Sequence, residues 1–532
     1  MYSIYTVSEI VSSAVWFAER FKKGCSSMSK KITMVSRMLI LLLTVVMAFA
    51  CFAGCKKDNK GTASTDVSSK VTTSLTPTEE IEELYATDPN IPATKDLGGK
   101  TITFGMNTLY TASVFPEEGA NELGDRQIAR MREICAAYNC VIEKVDLKWD
   151  SMVKDIMPAL LVGDDVADVI LPVIRQAGPF IEARLCENIL KEDISQYIDL
   201  TMPWWNDTMT VASGVGGAVY CATPQFTSAA DTTWVCYFNR AIASEIGLNP
   251  DTLYEMQANK TWTWDEFAKW SQKAVLDRDN DGKLGEGDRF GYASAPWHIM
   301  LAFLTGAGVD MVVQQQDGTL KYNLNTSHAI NALTKINELM SADYYRSAES
   351  GDMKKLFSEG DTLFMCYAIY AMRSEEIRNM EDTWGLVLLP LGPSADGGWQ
   401  KEYHSRAEQN TTCLFFPTGN EDLADAALVV EALAFSSWKK GVTDIIELSY
   451  LQYTKDEGSQ YAIDEVFNVS TFAYDQLLFA VGGSPTWQQL CSQSFYGVIR
   501  QKAADISYVI STNEAQFQSI LDNFYGEATQ AN

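Results

Sequence analysis

Thr101-Ile102-Thr103-Phe104-Gly105-Met106 alternates polar and apolar side chains, the two-residue period of a short strand. From Asp125 to Tyr138 the period changes. Ile128, Met131, Ile134, Cys135 and Tyr138 recur at helical spacing. Val141 to Val145 reads as a second strand, a helix follows from about Trp149 to Leu161, and Asp168-Val169-Ile170-Leu171 is a third, buried strand. A strand–helix–strand–helix–strand series favours a parallel sheet covered by helices on both faces, an α/β architecture. Ligands of such sheets meet the loops after the carboxyl ends of the strands, here the loops that begin at Asn107 and Pro172.

The second half repeats these elements less regularly. Trp234-Val235-Cys236-Tyr237-Phe238-Asn239 reads as a buried strand, followed by a helix from Arg240 to Ile246 that Gly247 closes. Thr263 is a candidate N-cap with Glu266 as its capping-box partner. Leu363 to Tyr367 and Trp384 to Pro390 read as further strands, and helices are expected over Glu421 to Trp438 and Trp487 to Ser511.

The amino-terminal segment has a different character. Lys30, Lys31 and Arg37 precede an apolar run from Met38 to Ala50, and Cys51-Phe52-Ala53-Gly54-Cys55 gives way to Lys56-Lys57-Asp58. That is a secretory signal pattern. Its small-small-Cys ending resembles the lipobox of bacterial lipoproteins, which implies that Cys55 is lipidated and that the protein sits on the extracellular face of the membrane. An uncleaved apolar anchor would leave the chain on the same side. Residues 1–27 fit neither a signal nor a domain, Met28 is the expected start of a signal spanning 28–54, and 55–98 reads as a tether, Ser/Thr-rich in its first half.

Composition narrows the function. The 532 residues carry 42 Lys and Arg against 69 Asp and Glu, a formal net charge of −27, which argues against a nucleic-acid partner. Thirteen Trp and only three His direct attention to aromatic surfaces more than to acid–base chemistry. His298, His328 and His404 have no metal-ligand spacing, and no Gly-x-Ser-x-Gly elbow, phosphate loop or His-Glu-x-x-His occurs. A carbohydrate-active hydrolase needs only two carboxylates, so counting does not exclude it. Eight cysteines follow Cys55 and leave disulfides and buried thiols equally open; Cys135 and Cys140, if on one helix, would point to different faces.

Taken in order, several segments carry a resemblance: the lipobox, the first strand–helix–strand unit, Leu161 to Ile170, Tyr237-Phe238-Asn239, Lys260 to Phe267, the Asp-rich loop after Asp277, Phe357-Ser358-Glu359-Gly360-Asp361, and Gly385 to Pro390. From about residue 99 to the end, this set resembles the extracellular solute-binding proteins of carbohydrate ABC transporters, family 1-like. The resemblance implies a two-lobed periplasmic-binding-protein-like fold of type II, each lobe a mainly parallel sheet flanked by helices, closing by rotation about a hinge. Lobe one is placed at 99–228 with 411–442, and lobe two at 229–410 with 443–532. It further implies a non-enzymatic, monomeric receptor that hands a small-molecule ligand, a mono- or oligosaccharide, to the permease subunits of the transporter. A non-sugar solute such as a peptide is the alternative.

A sugar presents C–H faces and a ring of hydroxyls, so its site needs flat aromatic rings beside groups that donate and accept hydrogen bonds. Placed on the implied fold, the candidates are Asn107 and Tyr110 after the first strand, Asp231 and Trp234 at the first crossing, Trp297, Tyr367 and Tyr370 at the edge of lobe two, and Trp487. Trp262, Trp264 and Trp270 read as packing residues, while Trp204 and Trp205 read equally either way. Separately, Asp277, Asp279, Asp281, Lys283 and Asp288 match positions one, three, five, seven and twelve of an EF-hand loop, with Gly282 at the sharp turn, and are expected to hold a structural Ca²⁺. Asp288 stands where Glu is usual, and its shorter arm weakens bidentate binding.

Overall fold

The computed structural model describes residues 85–528 apart from 110, 216, 228, 317, 318, 455, 497 and 503. Cys55, the signal, the first part of the tether and Tyr110 therefore lie outside the described residues. Among the described residues no helix is long and apolar enough to cross a membrane.

The first sheet is built as the residue pattern requires. β1 (Lys100–Asn107) buries Ile102, Phe104 and Met106 completely and lies between β2 (Cys140–Leu147) and β3 (Val169–Leu171), both parallel to it. Gly105 is needed there, because a Cβ would stand 3.0 Å from Leu147 Cδ1 and 3.2 Å from Ala167 Cβ. α1 (Glu122–Tyr138) connects β1 to β2, and α2 (Met152–Leu161) connects β2 to β3. Asn121 caps α1 by accepting Gly124 N–H, and the helix stops at Asn139, whose φ of 45° is left-handed. Cys140 consequently starts β2 and is not on the helix with Cys135. The premise that both thiols share one helix therefore fails. All eight described cysteines are free thiols.

The second sheet has the order β6-β5-β7-β4-β8, with β4 (Trp234–Asn239), β5 (Phe290–Ser294), β6 (Tyr345–Ser347), β7 (Thr362–Ala368) and β8 (Trp384–Leu388). β6, β5 and β7 are parallel, whereas β4 runs antiparallel to β7 and β8. The first sheet repeats this arrangement: residues 412–417 lie antiparallel to β3 through Ile170–Phe415 and pair on their other side through Ala222–Leu414. In each sheet the reversed strand is the one entering from the other half of the chain. The entering segments run side by side, joined by an antiparallel bridge between Thr233 and Ala407 and by Glu408 N–H donating to Thr232 O. Both sheets are thus mainly parallel, each with one reversed strand, and the hinge is a pair of adjacent crossings.

A third crossing follows α7 (Leu423–Ser436), which is buried along almost its whole length. Beyond it the backbone widens into π turns at Ser437–Gly441 and Ile446–Leu451. The expected helix from Trp487 to Ser511 is broken: Trp487–Cys491 is helical, and a new helix covers Ile506–Ala528, its start held by Asp505 Oδ1 accepting Tyr508 N–H. The carboxyl-terminal segment touches both halves. Gly178 of helix α3 (Ile174–Glu182) lies so close to Leu477 that a Cβ would stand 2.0 Å from its carbonyl oxygen, while Gln518 pairs with Leu320 and Tyr322.

Candidate functional site

Three structural rules meet at one place: the crossing segments, the carboxyl end of β5, which leads into α5 (Pro296–Gly306), and the carboxyl end of β7. There a cavity of about 310 Å³ is lined by Thr232, His298, Glu349, Tyr367, Glu408 and Asn410 together with Ala295, Ser350 and Tyr370. It lies where an open α/β sheet presents its loops to a ligand.

Trp234 forms the wall behind this cavity. Its ring stacks on His298 with centroids 5.6 Å apart and planes 10° apart, and it meets Tyr367 edge-on at 5.5 Å. The indole Nε1–H donates to Glu408 Oε1 at 3.2 Å. Trp234 is 1% exposed, so it orients the carboxylate and offers the ligand no open face. Tyr367 donates to Ser350 Oγ at 2.7 Å and shares a second 2.7 Å bond with the Tyr370 hydroxyl. These links hold both phenols in one orientation.

The electrostatics follow from burial. Desolvation pushes the Glu408 carboxyl up to about 7, with the Trp234 N–H and Arg175 pulling the other way. Desolvation, then Arg406 and Arg175, push His298 down to about 4, so its ring is neutral at physiological pH. Burial raises Tyr367, and Glu408 adds to the effect.

Beside Thr232, Asp231 turns toward a second cavity of about 440 Å³ between the amino-terminal turn of α1 and the π turn at Ile446–Leu451. Asp231 receives both Arg373 nitrogens, at 3.2 and 3.0 Å, and the Tyr450 hydroxyl at 2.5 Å. Ser449 also accepts from Arg373. Asp231 thus spends most of its acceptor capacity tying the first crossing to the third.

The expected site residues separate on this basis. Trp234, Tyr367 and Tyr370 come together at the smaller cavity, and Asp231 lines the larger one. Trp297 is half-buried, with its Nε1–H directed at Gln409 Oε1 at 3.4 Å and its ring 6.2 Å from Tyr496, so it flanks the crossing instead of lining the cavity. Asn107 is 1% exposed and accepts Leu109 N–H at 3.0 Å, which shapes the turn after β1. Trp487 does not belong to the group: it is buried against Phe517 in the carboxyl-terminal core. Trp204 and Trp205 are packing residues, both donating to the buried Glu431. Glu349, Glu408 and Asn410 were not anticipated. The available signal was the polar run Ser405 to Thr412 directly before the apolar Cys413-Leu414-Phe415-Phe416.

The Asp-rich loop is a separate feature. It lies between α4 (Trp264–Ala274) and β5, away from the crossings in sequence. Asp277, Asp279 and Asp281 each bring a carboxylate oxygen within 4.8 Å of the others, and Gly282 takes the φ of 81° that the turn requires. A hard cation fits such an all-oxygen set. Lys283 N–H donates to Asp281 Oδ1 at 2.7 Å. Asp288 is not one of the three, and its two oxygens accept N–H from Arg278 and Gly285, each at 2.8 Å.

No protein-family model matches the chain, and no curated protein matches it. Solved structures do. The cyclic α-maltosyl-1,6-maltose binding protein of Arthrobacter globiformis aligns with a TM-score of 0.54 at 15% identity, covering 80% of this chain and 100% of that one. The galacto-N-biose-/lacto-N-biose I-binding protein of a Bifidobacterium longum ABC transporter, in complex with lacto-N-biose, gives 0.54 at 14% identity over 81% and 99%. UgpB from Mycobacterium tuberculosis, in complex with glycerophosphocholine, gives 0.52 at 18% identity over 80% and 99%. Together with the doubled sheet topology and the paired crossings, these likenesses show that the chain has the two-lobed α/β fold of the ABC-transporter solute-binding proteins.

Proposed function

We propose that this protein is the solute-binding component of an ABC importer, capturing a mono- or oligosaccharide in the cleft at the lobe crossings and presenting it to the permease. The observation that carries the reading is the small polar cavity formed by Tyr367, Tyr370, Glu349, Glu408 and Asn410 at the carboxyl ends of two strands, beside both crossings. Fixed phenols and carboxylates of this kind satisfy sugar hydroxyls that would otherwise be buried without partners. Lobe rotation about the paired crossings would shut the cavity. The similar structures named above are binding proteins, which agrees with a receptor that performs no chemistry on its ligand. Calorimetry across a panel of neutral, amino and acidic glycans tests the assignment: saturable binding without product release is expected, and a response to peptides with none to any sugar overturns it.

Two further parts belong to this reading. The Cys51 to Cys55 motif supports a lipid anchor at Cys55 that holds the receptor at the extracellular face of the membrane. Mass spectrometry of the amino-terminal fragment checks it, with an unmodified Cys55 as the refuting result. Asp277, Asp279 and Asp281, with the Lys283 carbonyl, would hold a structural Ca²⁺, and Asp288, already engaged by two backbone amides, would stiffen the loop around it.

A further inference from the structure

The charges around the smaller cavity do not balance. Each guanidinium near the crossings already faces a defined partner. Arg373 is paired with Asp231, and Arg406 with Asp475 at 3.3 and 2.6 Å. Arg175 lies over the rings of Trp149 and Phe479, 4.7 and 5.4 Å from their centroids. None of the three lines the cavity. The two carboxylates that do line it, Glu349 and Glu408, form no ion pair among the described residues. Within the lining, His298 is the one side chain that could carry positive charge, and it is stacked and neutral at physiological pH.

Acceptors and π faces dominate the remaining lining. Asn410 Oδ1 is buried without a hydrogen-bond partner. Tyr367 and Tyr370 are held at 70° to one another with centroids 5.5 Å apart. An ammonium group brings N–H donors and a positive charge, and it is stabilised both by carboxylates and by aromatic faces. A carboxylate or sulfate group would instead meet two carboxyl groups with no Lys or Arg in the lining, and its desolvation would go uncompensated.

We propose that this cavity receives a cationic nitrogen, so that the ligand is an amine-bearing sugar selected over its neutral and anionic counterparts. The inference rests on the reading of the cavity as the solute site. Glu349 and Glu408 bracket the amine, Tyr367 and Tyr370 cover it, and Asn410 Oδ1 takes one of its N–H groups.

The test is calorimetry on the full-length protein with matched sets: glucosamine, galactosamine, mannosamine and the β-1,4-linked glucosamine trimer, each against its N-acetylated, hydroxyl and uronic-acid counterparts. At least one amine is expected to bind tenfold or more tighter than its hydroxyl and acetylated partners, and uronic acids are expected to bind weakest. In Glu408→Gln and Glu349→Gln the preference should fall toward threefold or less. Melting temperatures are read alongside, and Glu349→Gln, at an exposed position, keeps the test independent of folding. A neutral sugar that binds as well as its amine overturns the inference and leaves the sugar receptor standing. No binding by any sugar, or binding only by peptides, overturns both.

Discussion

Glu408 and Glu431 are two buried carboxylates that hold tryptophan indoles, and they differ in what remains of each. Glu431, on the buried helix α7, accepts Trp204 Nε1–H at 2.8 Å and Asn90 Nδ2–H at 3.2 Å on one oxygen, and Trp205 Nε1–H at 3.0 Å on the other. Both oxygens are filled, and Glu431 lines neither of the two cavities described above. Trp204 also packs against Trp438, Phe435 and Tyr85, so the carboxylate is the polar centre of an aromatic core. Glu408 holds one indole with one oxygen and faces a cavity. The same pairing therefore fills a carboxylate inside a lobe in one place and in the other leaves a carboxylate facing open space. Acceptor capacity left over, and space in front of it, separate structure from function here.

The largest effect that would break this comparison is expected from Glu431→Ala. It leaves two buried indole N–H groups and the half-buried Asn90 amide without an acceptor, at about 1–3 kcal/mol for each buried group before relaxation, so a total loss of about 2 kcal/mol or more is expected. Urea unfolding measures it; a loss below about 1 kcal/mol would show that the filled carboxylate is not a lock.

Glu408→Gln should do the reverse. Its amide keeps an oxygen for Trp234, so the urea midpoint stays near that of the parent while affinity for the cognate ligand drops about tenfold, corresponding to about 1.4 kcal/mol. Equal destabilisation in the two variants would erase the distinction.

pH sharpens the same contrast. Burial, with nearby Asp88, holds the folded Glu431 carboxyl up at about 8 against its ordinary 4.5, while its hydrogen-bond donors pull it back. The folded state therefore binds more protons than the unfolded chain between those values, and stability falls as pH rises through that window. The limiting slope is about 1.4 kcal/mol per pH unit. Unfolding at pH 6 and 8 should show a decline that is smaller in Glu431→Gln; no decline in the parent would contradict it.

The smallest effect belongs to the Asp-rich loop, far in sequence from both glutamates. Calcium should raise the melting temperature by a few degrees, by linkage of the order of RT ln(1 + [Ca²⁺]/Kd). The double variant Asp279→Ala/Asp281→Ala should lose that response. An EDTA response identical in parent and variant removes the metal from the account.

The elements were the more legible part. β4 appears at its expected bounds because five consecutive apolar or amphipathic residues followed by the N-cap Asn239 leave little choice, and Asn239 Oδ1 does accept Ala241 and Ile242 N–H. Thr263 caps α4 as expected, though weakly at 3.5 Å, and Glu266 turns away to Lys269 and Trp270 instead of closing the box. The helix expected from Trp487 failed because tertiary packing overrode a continuous apolar period. Among candidate site residues, aromatic identity picked out Tyr367 and Tyr370, which the structure brings to the smaller cavity, but it could not separate a tryptophan with an open face from one that walls a carboxylate.

Local order along the chain was determined by the sequence alone: strands and helices in α/β alternation, the secretory and lipobox pattern, the acidic balance, and an Asp-rich loop whose ligand spacing is local. Those features depend on neighbours within a few residues, whose preferences act before folding. Only the tertiary structure decided which strand runs backwards in each sheet, that residues 232, 298, 367 and 408 surround one cavity, and which guanidinium is already satisfied. Such facts depend on groups brought together across more than a hundred residues, and burial, which sets whether a carboxylate is a lock or a contact, exists only once those groups have met.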